Sequence, residues 1–291
     1  MSQNRKQLAQ IAIAEALKIR KRAHYRLTIP VSVYDLCERV GVNVFFQDIP
    51  SMEGIYLPDA QPKPAIILSS LRPAGRKAMT CGHELGHHVF GHGRQWDELI
   101  EDRSESRRFE PEEFQVDMFS AALQMPKIAV THALTQRELD AGNCQAESIF
   151  VLSTLFGVSY GAFVNHLERT LNIIDTKRAT ELSRRQPKDL RASLLGKPCP
   201  QDLYVVDPLW QDRAVDVSVG DLILLPIGVR VEGSCVRVEE DSGDRTIVIA
   251  DQPGIGRISL ASGWAAFVRV TRKDYRGLGG LRFDEEVDDG D

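Results

Sequence analysis

The stretch His83-Glu84-Leu85-Gly86-His87 decides how this chain is interpreted. It lies within residues 74–91, a segment whose pattern predicts a helix ended by Gly91. Residues four apart on a helix differ by about 40° around its axis, so the two histidines present their imidazoles to one point. This is the geometry that a zinc ion needs from two nitrogen ligands. Because HExxH arises by chance in roughly one chain of this kind in a hundred, the motif by itself does not decide the function.

Glu84 follows the first histidine and is rotated by about 100° from it around the helix axis. Its carboxylate can therefore lean toward the open side of a metal ion without binding that ion. In this position it can take a proton from zinc-bound water and later deliver the proton to a leaving amine. The arrangement predicts hydrolysis of a peptide bond with Glu84 as the catalytic base.

A second helix, predicted over residues 111–125, supplies candidates for a third ligand. Pro111 is a favoured first-turn residue, and Pro126 ends the pattern. Glu113 and Asp117 stand four residues apart on one helix face. Glu113 is the predicted third metal ligand, and Asp117 is predicted to support the other ring nitrogen of a ligand histidine. A solvated acidic face is the alternative interpretation for both, because the sequence around them is rich in glutamate.

Other histidines are not assigned to the metal. His88 faces away from the first histidine of the motif. His92 is rejected as a third ligand, because the zinc-hydrolase pattern with a distal histidine would place it one residue later. Three further side chains are candidates for stabilising an oxyanion, and none of them is selected: Tyr56, His132 and His166.

Composition excludes several classes of protein. The 291 residues are 43% hydrophobic and 26% charged, and their net charge of −5 gives no global case for nucleic-acid binding. The N-terminal residues lack the apolar core of a secretory signal, and no apolar run approaches the roughly 18–20 residues of a membrane span. The five cysteines are scattered and form no CxxC pair, so we expect a reduced, cytoplasmic chain.

The chain is predicted to be an α+β protein of several parts. Strands are predicted at 42–46, 54–57 and 65–69, and helices at 135–141, 146–156 and 159–171, the last two resembling a helix-turn-helix. From residue 203, short β-branched runs separated by turns predict a small all-β domain that could act as a sensor. The predicted parts are a zinc-peptidase core with an N-terminal helix at 1–128, a helix-turn-helix-like segment at 129–175, a connector at 176–200, the β domain at 201–276 and an acidic, disordered tail at 277–291.

The predicted strand at 65–69 directly precedes the motif helix. If it lay at the edge of the sheet beside the metal, it could pair with the backbone of an extended substrate. Such pairing would align a peptide without reading much of its sequence.

Over roughly residues 30–175 the chain resembles the ImmA/IrrE family of zinc metallo-endopeptidases. Five stretches carry the resemblance together with the HExxH motif itself: Gly54-Ile55-Tyr56, Met79-Thr80-Cys81-Gly82, the segment from Glu113 to Pro126, Leu155-Phe156-Gly157-Val158-Ser159, and Leu167-Glu168-Arg169.

The resemblance implies a minimal gluzincin-like core with His83, His87 and Glu113 on zinc and Glu84 as base. It also implies a cytoplasmic protein that cuts a partner, commonly a helix-turn-helix repressor, and thereby releases transcription, for example in a stress response. The sequence departs from the family pattern at Gln115, Val116, Asp117 and Gln124, and none of these departures removes a predicted ligand.

Two other functions stay open at the level of sequence. In the first, the helix-turn-helix-like segment binds DNA and the metal is structural, although Arg169 is the only Lys or Arg in its second helix and DNA recognition usually needs several. In the second, the protease core is silent and the β domain binds a small molecule or a partner.

Overall fold

A computed structural model of the chain describes residues 3–93, 96–98, 109–242 and 244–284. Two compact units divide the chain: Met1–His132 with Arg276–Gly280, and Ala133–Tyr275 with Leu281–Asp291. The first unit contains the HExxH motif. Helices and small sheets occur together, so the predicted α+β class is confirmed.

The regular elements follow in chain order. The helices are α1 Gln3–Arg22, α2 Val33–Arg39, α3 Ala74–Phe90, α4 Pro111–Gln124, α5 Lys127–Gln136, α6 Ala146–Phe156, α7 Tyr160–Asn165, α8 Thr176–Ser183 and α9 Pro187–Leu195, with a π-helical turn at His166–Thr170 and a 3-10 turn at Gly279–Leu281. The strands are β1 Asn43–Gln47, β2 Met52–Leu57, β3 Ala65–Ser69, β4 Trp96–Glu98, β5 Leu203–Val205, β6 Val215–Ser218, β7 Leu222–Pro226, β8 Arg230–Glu232, β9 Val236–Ser242, β10 Arg245–Ala250, β11 Gly254–Ser259, β12 Ala265–Thr271 and β13 Gly277–Leu278.

Among the described residues of the first unit, five strands form one sheet in the order β13-β1-β3-β2-β4. Strand β3 lies in its interior, parallel to β1 and antiparallel to β2. Its sequence is apolar and four of its five residues are buried, as expected for a strand covered on both faces. Strand β3 is therefore not an edge strand and does not meet the condition for pairing with a substrate backbone, because β1 and β2 take up its hydrogen bonds.

Helix α3 packs on this sheet and against α4. It ends at Gly91, whose left-handed conformation (φ 68°) lets the backbone N–H groups beyond the helix return to its last carbonyls. Helix α4 begins at Pro111, which occupies a first-turn position where its missing N–H is not needed. Both helices were predicted within a residue of their observed ends.

The described part of the second unit contains helices α6–α9 and eight strands. The strands form two four-stranded sheets, β5-β7-β10-β9 and β6-β12-β11-β8. One buried cluster joins Leu195 and Cys199 from the end of the helical part to Leu203, Leu222 and Ile247 of the strands. The strand-rich region from residue 203 is thus confirmed, whereas its boundary as a separate domain stays a prediction, because helices and strands share this core.

The prediction of a helix at 135–141 was wrong. No helix spans 135–141: α5 ends at Gln136, and Glu138 then adopts a left-handed conformation (φ 53°) that a helix does not allow. The side chain of Asp140 accepts a hydrogen bond from the backbone N–H of Gly142 at 2.9 Å, which stabilises a turn in place of a helix.

The tail prediction was wrong at residues 277–281. Strand β13 pairs antiparallel with β1, with Phe45 opposite Leu278 and Phe46 opposite Gly277. Glycine permits this approach, because a Cβ on Gly279 would lie 3.1 Å from the carbonyl oxygen of Val44. The acidic residues 285–291, on which the prediction of disorder rested, lie outside the described residues.

Within the described ranges, no single helix is long and apolar enough to cross a membrane. One pair of segments, Ala146–Phe156 and Tyr160–Thr170, meets the length and composition of a span only when joined, and it is bent by 101°.

Candidate metal centre

The two motif histidines lie on the buried face of α3. Their Nε2 atoms are 3.1 Å apart. From α4, Glu113 places one carboxylate oxygen 3.2 Å from Nε2 of His83 and the other 3.6 Å from Nε2 of His87. Three potential ligand side chains from two helices therefore converge on one point.

This spacing fits a metal ion. A tetrahedral ion with bonds of about 2.0–2.1 Å holds its ligand atoms about 3.3 Å apart. The distance between the two Nε2 atoms, 3.1 Å, and the distances from each Nε2 to one of the two carboxylate oxygens of Glu113, 3.2 and 3.6 Å, lie near that value. Among the described residues, His83, His87 and Glu113 form the one group of His, Cys, Asp or Glu that could hold a metal ion.

Close packing of α3 on α4 brings these ligands together. A Cβ on Gly82 would lie 2.5 Å from the hydroxyl oxygen of Ser120, and a Cβ on Gly86 would lie 2.9 Å from Cβ of Val116. Since real Cβ atoms are almost never this close to other atoms, only glycine permits the observed distance between the helices. The hydroxyl of Ser120 also donates a hydrogen bond to the carbonyl of Met79 at 2.8 Å.

Each of the two candidate ligand histidines has a partner for its second ring nitrogen. Nδ1 of His83 lies 2.9 Å from a carboxylate oxygen of Asp117, one helical turn beyond Glu113. Nδ1 of His87 lies 3.1 Å from Nδ1 of His92, a residue just beyond the end of α3. The first contact is the one that the spacing on α4 predicted, whereas the second was not foreseen.

Burial favours the uncharged form of His87. Desolvation, followed by the charge of the nearby His83 when protonated, lowers the pKa of His87 to about 4. The imidazole is then neutral at neutral pH, and a neutral imidazole is the form that binds a metal.

Glu84 is also buried, with 1% of its surface exposed, and strand β2 covers it. A Cβ on Gly54 would lie 3.4 Å from Cγ of Glu84 and 2.6 Å from Cγ2 of Thr80, so glycine is required where β2 crosses α3. The outer edge of β2 pairs with β4. The turn of α3 that carries Glu84 thus packs against β2, next to the β4 side of the sheet.

The side chains considered as oxyanion stabilisers lie in different surroundings. The hydroxyl of Tyr56 is 2.7 Å from Nδ1 of His88, a contact that ties β2 to α3 on a different side of the helix from the ligands. Burial raises the pKa of Tyr56, and the nearby Asp59 raises it further. Burial also lowers the pKa of His88. His132 is exposed and His166 is buried, and both lie outside the ligand group.

The family comparison agrees with this geometry. The sequence model of the IrrE N-terminal-like domain, Peptidase M78, matches residues 37–168, somewhat less than half of the chain. This match confirms that the chain resembles the ImmA/IrrE family over these residues, and the family implies a metallopeptidase. No curated protein matched the chain in a sequence comparison.

Gly86→Ala is expected to disturb the site without altering any ligand. The added methyl group would meet Val116, so α3 and α4 must separate, at a cost of about 1–3 kcal/mol and with a loss of metal affinity. Thermal unfolding and metal titration of the purified chain measure the two effects.

Gly161→Ala is the matched control, because a Cβ at this helical glycine would meet nothing within 4 Å. It should keep full metal affinity and gain rather than lose stability. Equal metal affinity in both variants would contradict the role of close helix packing.

Proposed function

We propose that this protein is a zinc-dependent endopeptidase that cleaves a protein partner, a helix-turn-helix transcriptional repressor. The convergence of His83, His87 and Glu113 from two helices is the observation that carries the proposal. The family of residues 37–168 supports the peptidase activity. The identity of the partner rests on the family resemblance alone.

Two imidazoles and one carboxylate form a set that suits zinc. Structural zinc sites are generally closed by four protein ligands, often cysteines, whereas hydrolytic sites use three and leave one position for water or substrate. The described residues offer three ligands here. The donor set therefore favours a catalytic site in a gluzincin-like layout, with HExxH on one helix and the glutamate on a second.

Different side chains have different roles in hydrolysis. A bound zinc ion would supply Lewis acidity, which polarises the scissile carbonyl and makes water more acidic. Glu84, next to a ligand on the same helix, accepts the proton of the attacking water and returns it to the departing amine nitrogen. Asp117 orients His83 by accepting a hydrogen bond from its Nδ1–H.

DNA binding by the helix-turn-helix-like segment is not favoured by the structure. Phe163, Val164 and Leu167 of the second helical stretch are buried, and the ring of Phe163 stacks on Phe156 at 5.6 Å. The helix pair thus uses its apolar side to form the protein core, while Arg169 alone adds positive charge along that stretch.

Glu113→Ala is expected to abolish stoichiometric zinc binding, because two imidazoles would be left without a third ligand. Elemental analysis should give about one zinc per wild-type chain and close to none in the variant. Glu112→Ala is the control, since it removes an exposed neighbouring carboxylate and should leave zinc content unchanged. Retention of zinc in Glu113→Ala would remove Glu113 from the site.

Glu84→Gln is expected to retain zinc and to lose cleavage, because the amide cannot accept the proton of water. General-base catalysis contributes about 10²–10⁴-fold, so activity should fall by at least that factor. The assay incubates zinc-loaded wild-type and variant chains with helix-turn-helix repressors encoded beside the protein, followed by electrophoresis and mass spectrometry of the fragments. Undiminished cleavage by Glu84→Gln would contradict the proposed mechanism.

A further inference from the structure

His92 lies on the far side of His87 from the ligand group. Nε2 of His87 faces Nε2 of His83 and the carboxylate of Glu113, whereas its Nδ1 is 3.1 Å from Nδ1 of His92. The two rings have centroids 5.2 Å apart and are inclined at 62°. His92 therefore contacts the one ring nitrogen of His87 that a metal would leave unused.

The backbone at the end of α3 creates this contact. Gly91 adopts its left-handed conformation, and the N–H of His92 then donates to the carbonyl of His87 at 3.0 Å. The chain folds back on the last helical turn instead of leaving it. The ring of His92 stacks on Phe90 at 5.8 Å with an angle of 29°, which holds it beside the helix.

The position of the hydrogen on each imidazole decides which ring donates the hydrogen bond and which accepts it. A neutral histidine that offers Nε2 to a metal carries its hydrogen on Nδ1, so that Nδ1–H must find an acceptor. Nδ1 of His92, 3.1 Å away, can accept this hydrogen bond when His92 carries its own hydrogen on Nε2. His83 meets the same need with the carboxylate of Asp117.

We propose that His92 is a positioning residue, which accepts a hydrogen bond from Nδ1–H of His87 and so holds that ring with Nε2 directed at the metal. The inference rests on the proposed function, since it concerns the same metal centre. It assigns the two ligand histidines different partners: a carboxylate for His83 and an imidazole for His87. A carboxylate is the stronger acceptor, so we expect Asp117 to contribute more to metal affinity than His92.

His92 could instead act only through packing, because Phe90 beneath it also packs edge-on against Phe119 at 5.7 Å. Two variants of similar shape separate these roles. In His92→Asn, an amide oxygen can occupy the position of Nδ1 and accept the hydrogen bond. In His92→Leu, the side chain has nearly the same volume and offers no acceptor.

The experiment measures zinc affinity of the full chain by competition with a chelating indicator, together with long-range ¹H–¹⁵N spectra of the histidine rings. His92→Leu should bind zinc about tenfold more weakly, and the Nδ1–H signal of His87 should broaden or shift. His92→Asn should restore most of the affinity and the signal. His88→Ala is the local control, because His88 contacts Tyr56 rather than a ligand, and it should bind zinc as the wild type does.

Equal affinity in the Leu and Asn variants, whether both lowered or both unchanged, would overturn the inference. An equal loss in His88→Ala would also overturn it, because packing at the helix end would then explain the effect. Glu113→Ala in the same series separates the two proposals. Suppose that the wild-type chain binds zinc, that Glu113→Ala loses zinc and that His92→Leu binds zinc as tightly as the wild type. Only the proposed role of His92 is then contradicted. If the wild-type chain binds no zinc, the proposed function is contradicted as well.

Discussion

The close approach of α3 to α4 is the constraint on which the rest of the site depends. Gly82 and Gly86 lie one turn apart on α3 and face Ser120 and Val116 on α4. Glu113 is on the same face of α4, so the distance between the helix axes sets the distance from its carboxylate to the histidine nitrogens. The observed separations match those of a coordinated ion only because no side chain intervenes between the helices.

This arrangement has a cost in helix stability. Glycine in a helix interior is less favourable than alanine by about 1 kcal/mol, and α3 contains two such residues around its ligands. Tertiary packing offsets the cost, since Cys81 and Leu85 on the same helix are fully buried. Gly54 likewise allows β2 to approach α3 closely where the strand crosses the helix next to Glu84. Glycine thus occupies the three positions near the site, Gly82, Gly86 and Gly54, at which a side chain would keep neighbouring elements apart.

The segment that resembles a helix-turn-helix shows why a local pattern does not fix a function. Ser159 caps α7, and Gly157 ends α6 in a left-handed conformation, so the turn itself is as the sequence predicts. The apolar residues that follow are used in the core of the second unit. A helix pair of this kind packs efficiently, and its presence needs no DNA partner to explain it.

The sequence by itself determined the features that depend on local geometry. The spacing of His83 and His87 places both imidazoles on one helix face, and proline and glycine mark where α3 and α4 begin and end. Only the tertiary structure decided which groups meet across elements: that β3 lies inside the sheet, that β13 returns to β1, and that His92 folds back onto His87. These contacts arise from strand order and from a left-handed turn at Gly91, whose direction in space no spacing rule encodes. Helical periodicity depends only on the spacing of residues along the chain, so the sequence predicts it. Which distant elements contact one another depends on how they pack in three dimensions.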